Sequence, residues 1–174
     1  MMGAGKSTVG RELASRLGRR FVDADDEIER AAGRSVPEIF ASEGEASFRR
    51  RELSAVQGLL ASNAVVALGG GAVTQSSIRQ AIAGSGTVIY LRAAPETLLQ
   101  RVGDAQSRPL LAGLGPQERL RRLQELLAER EAAYAEADLC IDTDSLGPGE
   151  LVERLAGSLQ PAATPSLGTP GVSR

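Results

Sequence analysis

The first eight residues, Met1-Met2-Gly3-Ala4-Gly5-Lys6-Ser7-Thr8, constrain this chain more than any other stretch. Gly5-Lys6-Ser7 is the closing half of a phosphate-binding loop, G-x-x-x-x-G-K-[ST]. Its spelling follows from chemistry. Glycines let backbone N–H groups turn inward around phosphate oxygens with no Cβ in the way. The Lys6 ammonium would face the β- and γ-phosphates, and the Ser7 hydroxyl would ligate Mg²⁺. The following helix would point its positive end at the same anion. As written, the motif lacks its first glycine, which belongs one position before Met1, and the apolar strand that precedes such loops. Alone, Gly-Ala-Gly-Lys-Ser fits a flexible terminus equally well.

A chain of 174 residues is sized for one domain with a real core. Net charge is −2, which gives no general attraction to nucleic acid or an anionic membrane. No apolar run approaches the roughly 18 residues of a membrane span, and no signal-peptide pattern is visible, so the expected location is the cytoplasm. With no histidine, a Ser-His-Asp triad and a histidine base are excluded. With a single cysteine, Cys140, an intrachain disulfide and a cysteine-based zinc site are excluded. Cys140 lies in the apolar run Leu139-Cys140-Ile141 and is expected in the core. Catalysis is left to carboxylates, Lys, Arg, hydroxyls and a hard metal.

Periodicity supplies the elements. Val9, Leu13 and Leu17 mark a helix over 7–17, closed by Gly18. Phe21-Val22 is a short strand running into Asp23-Ala24-Asp25-Asp26, and a helix follows to Gly33. Ser35-Val36-Pro37-Glu38 is a capping box opening a short helix that Gly44 breaks. Phe48, Glu52, Val56 and Leu59 mark a longer helix. Residues 64–68 and 87–91 are apolar runs suited to strands buried on both faces, the first followed by Gly69-Gly70-Gly71. A short helix carries Ile78 and Ile82, and Pro95 starts another. Residues 103–115 read as a mobile loop, 117–135 as a charged helix, 139–142 as the last strand, and Leu151, Leu155 and Leu159 as the last helix. From 160 to 174 the composition is that of a disordered tail. Strands alternating with helices predict a parallel α/β sheet with ligands at the carboxyl ends of its strands. The glycine loop, Asp23/Asp25 and the glycine triplet all fall there.

Five stretches together carry a resemblance: Gly3 to Gly10; Phe21-Val22-Asp23-Ala24-Asp25; Ile39-Phe40 with Gly44-Glu45 and Phe48-Arg49-Arg50; Gly69 to Val73; and Arg108-Pro109-Leu110-Leu111. In this order and spacing the chain resembles the shikimate kinase family over residues 3–159. The resemblance implies a three-layer P-loop kinase fold with strand order 2-3-1-4-5, its first strand absent from this chain. It implies a substrate-binding segment over about 25–60 and a lid over about 103–115. It also implies transfer of the γ-phosphate of ATP to the 3-hydroxyl of shikimate, on the route through chorismate to aromatic amino acids. A monomer is the family expectation. Gly3, Ala4, Gly5, Lys6, Ser7 and Thr8 would cradle the triphosphate. Ser7 would bind Mg²⁺, with Asp23 holding a metal-bound water. Asp25 would accept hydrogen bonds from shikimate hydroxyls and is the candidate base for the attacking one. Arg49 and Arg130 would grip the shikimate carboxylate, Gly70 and Gly71 would offer N–H groups, and Arg108 would descend with the lid. The family often places an arginine near the adenine where this chain reads Ser145-Leu146-Gly147-Pro148.

Plainer readings stand beside these. Asp23 and Asp25 would also cap a helix, Arg49-Arg50-Arg51 would also make a solvated face, and a glycine triplet would also make a turn. Another small-metabolite P-loop kinase, for gluconate or adenylylsulfate, is a rival of the same class. A nucleotide-binding relative without turnover is a rival of another class. The incomplete loop predicts that a working form carries roughly 8–15 more residues upstream, as an apolar strand ending in glycine. For this chain alone it predicts a gap or strained closure between the strands at 64–68 and 87–91, and a poorly anchored Met1-Met2.

Overall fold

The computed structural model describes residues 1–103, 108 and 110–159. Helix α1 (Lys6–Arg16) is followed by strand β1 (Arg20–Asp23), α2 (Ala24–Ala32) and α3 (Val36–Leu60). Next come β2 (Ala64–Ala67), a 3-10 turn at Ala72–Thr74, α4 (Ser76–Ile82), β3 (Ile89–Arg92) and α5 (Pro95–Val102). The chain ends in α6 (Pro116–Tyr134), β4 (Leu139–Asp142) and α7 (Pro148–Leu159). None of these helices is long and apolar enough to cross a membrane.

The helix boundaries have local causes. Ser35 and Glu38 form a reciprocal capping box at the start of α3. Gly44 interrupts that helix with φ 78° and ψ 171°, so the expected break is a bend between two helical halves. Gly33 closes α2 in the left-handed conformation, and Pro95 and Pro116 sit in the first turns of α5 and α6.

The strands pair in two separate couples. β1 lies parallel to β2, from Arg20 opposite Ala64 to Asp23 opposite Ala67. β3 lies parallel to β4, from Ile89 opposite Leu139 to Arg92 opposite Asp142. Among the described residues no ladder joins β2 to β3. A channel of about 560 Å³ runs there, lined by Val65 and Val66 of β2 with Leu68 just after it, and by Ile89 and Leu91 of β3 with Val88 just before it. The expected gap is therefore present. The expected looseness of Met1 is not: its side chain is 4% exposed and joins the main core, because an apolar side chain at the end of the channel has nothing better to cover. Cys140 also departs from expectation and is exposed. Among the described residues β4 pairs only with β3, and its side chains alternate between half-buried and exposed, with Cys140 on the outer side.

Among the described residues three apolar clusters hold the elements. The largest gathers Val9 and Leu13 of α1, Tyr90 and Leu91 of β3, Leu98 of α5, Leu123 and Leu126 of α6, and Leu151 and Leu155 of α7. A second packs Val56 against Ile78 and Ile82. A third, of Ile28, Ile39 and Phe48, ties α2 to both halves of α3. It fixes the arm that carries Arg49.

Candidate active site

The carboxyl ends of β1 and β2 meet the start of α1. Gly5 is the N-cap of α1 with φ 84°, a conformation that other L residues rarely adopt. No side chain caps this terminus, so its first N–H groups stay open to an outside acceptor. The Ser7 hydroxyl donates to Asp23 Oδ2 at 2.8 Å, and Asp23 Oδ1 accepts the Asp25 N–H at 3.1 Å. Asp23 therefore caps α2 and holds the loop serine at once. The Lys6 ammonium donates to the Met1 carbonyl at 2.7 Å. Burial holds its pKa below the usual lysine range, while Asp25 and Asp23 pull it the other way.

Asp25 sits in the first turn of α2. Burial first, then the charges of Asp23 and Glu52, push its carboxyl up to about 6 against the opposing pull of Lys6 and Arg108. Its Oδ1 is buried and unpartnered. Glu52 of α3 is 1% exposed. Its Oε2 accepts from Arg49 Nη1 at 2.6 Å and from Gln75 Nε2 at 2.8 Å, while Oε1 is also unpartnered.

The glycine triplet after β2 explains how these groups fit together. A Cβ on Gly69 would lie 2.8 Å from Glu52 Oε1 and 2.9 Å from Asp25 Oδ1. One on Gly70 would meet Arg130 Nη1 at 3.6 Å, and one on Gly71 would meet Arg49 Nη2 at 2.9 Å. At Gly69 and Gly71 a Cβ would collide with the carboxylates of Glu52 and Asp25 and the guanidinium of Arg49, while at Gly70 it would make ordinary contact beside Arg130, so more than a turn is encoded. Arg130 is buried in α6, and its Nη1 donates to the Gly70 carbonyl at 3.1 Å. The Tyr134 hydroxyl donates to the same oxygen at 2.5 Å, and its ring stacks on Tyr90. Arg49 is steadied by Glu45 and Glu52. Arg50 faces solvent and Arg51 pairs with Glu43, so one arginine of the three reaches the site. Arg108 is exposed, yet its charge is felt at both Lys6 and Asp25. Of the expected lid, residues 104–107 and 109 lie outside those described.

Among the described residues no group of three or more His, Cys, Asp or Glu could hold a metal ion unaided. Ser7 and Asp23 offer paired oxygen donors, which suit a hard cation that keeps most of its waters and shares phosphate oxygens. Sequence reasoning missed Glu52, Gln75 and Tyr134 as site residues. Glu52 did leave a signal: a carboxylate standing in the apolar phase between Phe48 and Val56.

A glycine-turned helix start beside a Ser–Asp pair, at the carboxyl ends of parallel strands, defines a P-loop phosphotransferase. The profile of the shikimate kinase family matches residues 2–160, and the chain belongs to that family. It is 49% identical over 162 residues to the shikimate kinase of Bordetella pertussis, covering 92% of this chain and 75% of that protein. With the shikimate kinase of Symbiobacterium thermophilum the identity is 47%, covering 89% and 92%. Among solved structures, shikimate kinase from Acinetobacter baumannii in complex with shikimate superposes with TM-score 0.83 at 42% identity, covering 88% of this chain and 86% of that one. The Bacteroides thetaiotaomicron enzyme gives 0.85 at 30%, covering 91% and 93%.

Proposed function

We infer that this protein transfers the γ-phosphate of ATP to the 3-hydroxyl of shikimate, giving 3-phosphoshikimate and ADP. Family membership supports the reaction class. The observation that carries the substrate reading is the convergence of Asp25, Arg130 and Arg49 on three successive glycines. Shikimate is a small carboxylate with hydroxyls. Guanidinium forks suit the carboxylate, and an unpartnered carboxylate oxygen suits a hydroxyl donor.

Each side chain takes a role from its position. The open N–H groups of α1 and the Lys6 ammonium receive the phosphates, and Lys6 exchanges the Met1 carbonyl for them. Ser7 and Asp23 hold Mg²⁺, Asp23 through a bound water; when bound, the ion neutralises charge on the β- and γ-phosphates. Arg49 and Arg130 bind the carboxylate and fix the ring. Asp25 accepts the hydroxyl proton. Its carboxyl, raised to about 6, remains mostly ionised at neutral pH while being a better base than an exposed aspartate. Arg108 approaches the phosphates as the lid closes. The transferred group then needs positioning and charge neutralisation more than covalent help.

A coupled assay of ADP release with ATP and Mg²⁺, run with shikimate, with gluconate and with neither, tests the reading. Turnover that requires shikimate is expected. Gluconate-dependent turnover, or ATP binding without turnover, would overturn it.

A further inference from the structure

Gln75 stands where the 3-10 turn after the glycine triplet runs into α4, at the N-cap of that helix. Residues there commonly turn a short oxygen back onto the helix N–H groups. Gln75 does not: its side chain makes no capping hydrogen bond and reaches instead to α3, where Nε2 donates to Glu52 Oε2 at 2.8 Å. Its partner is no surface carboxylate. Glu52 is 1% exposed, and the same Oε2 accepts Arg49 Nη1 at 2.6 Å. Burial pushes the Glu52 carboxyl up, while the donors Arg49 and Gln75 and the charge of Arg130 oppose that. The charged groups facing it are Arg49 of its own helix, Arg130 of α6 and, across Gly69, Asp25 of α2. Gln75 is itself held from behind. Arg79 Nη1 donates to the carbonyls of Val73 at 2.8 Å and Thr74 at 3.2 Å, and its Nε pairs with Glu136. The Thr74 hydroxyl donates to the Gly71 carbonyl at 2.7 Å, and the Gln75 N–H to the Ala72 carbonyl at 3.1 Å.

We propose that Gln75 is a positioning residue for the acceptor substrate: by sharing Glu52 Oε2 with Arg49, it fixes the carboxylate that holds the Arg49 guanidinium beside Gly71, where that guanidinium meets a substrate carboxylate. This rests on the reading of the site given above. The chemistry favours an amide at this position. A carboxylate oxygen has lone pairs for two donors, so Gln75 and Arg49 do not exclude each other. A cation at position 75 would compete with Arg49 for the same negative charge, and an apolar side chain would leave the buried Oε2 with one donor. A neutral amide satisfies the oxygen and leaves the attraction between Glu52 and Arg49 undiminished. The other anchor of Arg49, Glu45, cannot replace this one, because it is 66% exposed and screened by water. Glu52 is the buried anchor, and Gln75 is what keeps it from swinging with Arg49.

The test compares the parent with Gln75→Met, which keeps length and bulk but has no donor, and with Gln75→Glu. Calorimetry reads shikimate and ATP affinities, a coupled assay reads kcat, and ¹³C NMR follows the Glu52 carboxyl through its titration without ligands. For Gln75→Met we expect shikimate affinity to fall about three- to tenfold, with ATP affinity and kcat within about twofold of the parent. Glu52 should titrate at higher pH, because a donor to its ionised form is gone. Gln75→Glu should match the parent near pH ~5, where the introduced carboxyl is protonated and donates, and fall behind toward pH ~8 as it ionises and repels Glu52. A role confined to packing would move the melting temperature and leave the Glu52 titration and that pH trend as they are. Unchanged shikimate affinity in Gln75→Met, equal losses of shikimate and ATP affinity, or an unmoved Glu52 titration each overturns the proposal. A parent that binds ATP but not shikimate refutes the substrate reading instead, and the hold of Gln75 on Glu52 is then decided by the carboxyl titration alone.

Discussion

Ser7, in the first turn of α1, and Asp23, the last residue of β1, share a hydrogen bond of 2.8 Å that ties the phosphate loop to the neighbouring strand. The carboxylate that would receive a metal-bound water is already oriented, and its other oxygen is spent on capping α2. Asp23→Asn keeps the shape and the cap but removes the charge. We expect the Mg²⁺ concentration for half-maximal rate to rise about tenfold, equivalent to ~1.4 kcal/mol, with a melting temperature within a few degrees of the parent. Rate curves against Mg²⁺ that superpose would remove Asp23 from the metal site.

Arg49→Ala and Arg130→Ala should each weaken shikimate binding by about 10- to 150-fold, the ~1.5–3 kcal/mol of a hydrogen bond to a charged partner, with ATP affinity little changed. The two should differ in stability. Arg130 is 7% exposed and buried against Gly70, whereas the Arg49 side chain is 24% exposed. Losing Arg130 therefore also leaves a cavity. Glu52→Gln keeps the contact with Arg49 but drops its charge, and should weaken shikimate binding less than Arg49→Ala. Calorimetric titration with each ligand separates these outcomes. A loss of ATP affinity at unchanged shikimate affinity would reverse the assignment.

Asp25 links catalysis to stability with opposite signs. Its carboxyl rises from an ordinary value of 3.8 to about 6 in the fold. The folded state thus holds the proton more tightly, so its contribution to stability is fully present below about pH 4 and is lost as pH rises through about 6. At pH 7.5 the ionised group opposes folding. Asp25→Asn should raise stability there by on the order of 1–3 kcal/mol, allowing for solvent access to a half-buried group, and the gain should vanish near pH 4. Turnover should fall about 10²- to 10⁴-fold, and the acid limb of kcat/KM near pH 6 should disappear. Thermal melts and rates across pH 4–8 check both halves. Near-normal turnover would reject the base role.

The elements were legible wherever period and punctuation agreed. The capping box at Ser35, the break at Gly44 and the apolar strand from Ala64 all stand where the pattern placed them. The separation of β2 from β3 was legible as well, as the gap expected between the runs at 64–68 and 87–91. Less visible was what three glycines in a row are for, since the Cβ space they vacate is used by side chains 17 to 60 residues away along the chain. Glu52 and Tyr134 belong to the same blind spot: their partners, Arg49 with Gln75 and the Gly70 carbonyl, are set by tertiary packing. Cys140 was misplaced because an apolar triplet does not say whether its strand is central or at an edge.

Arg108 supplies the last prediction. Its carbonyl accepts the amides of Leu111 and Ala112 at 2.8 and 2.9 Å, and Leu111 is fully buried in the main core while Leu110 is 45% exposed. The segment is thus anchored at Leu111, and the Arg108 side chain stands in solvent with its charge directed at Lys6 and Asp25. An exposed guanidinium close to the phosphate site adds little to the free protein and most once water is excluded around developing charge. Arg108→Ala should therefore lower kcat by about 10²-fold or more, shift KM for either substrate by less than about tenfold, and leave the melting temperature unchanged. Amide exchange over 103–115 should be faster than in β1 and β2 without ligands, and should slow when an unhydrolysable ATP analogue and shikimate are both present. Equal protection of this segment and the strands in the free protein, or an Arg108→Ala enzyme with unchanged kcat, would show that it is not a closing lid.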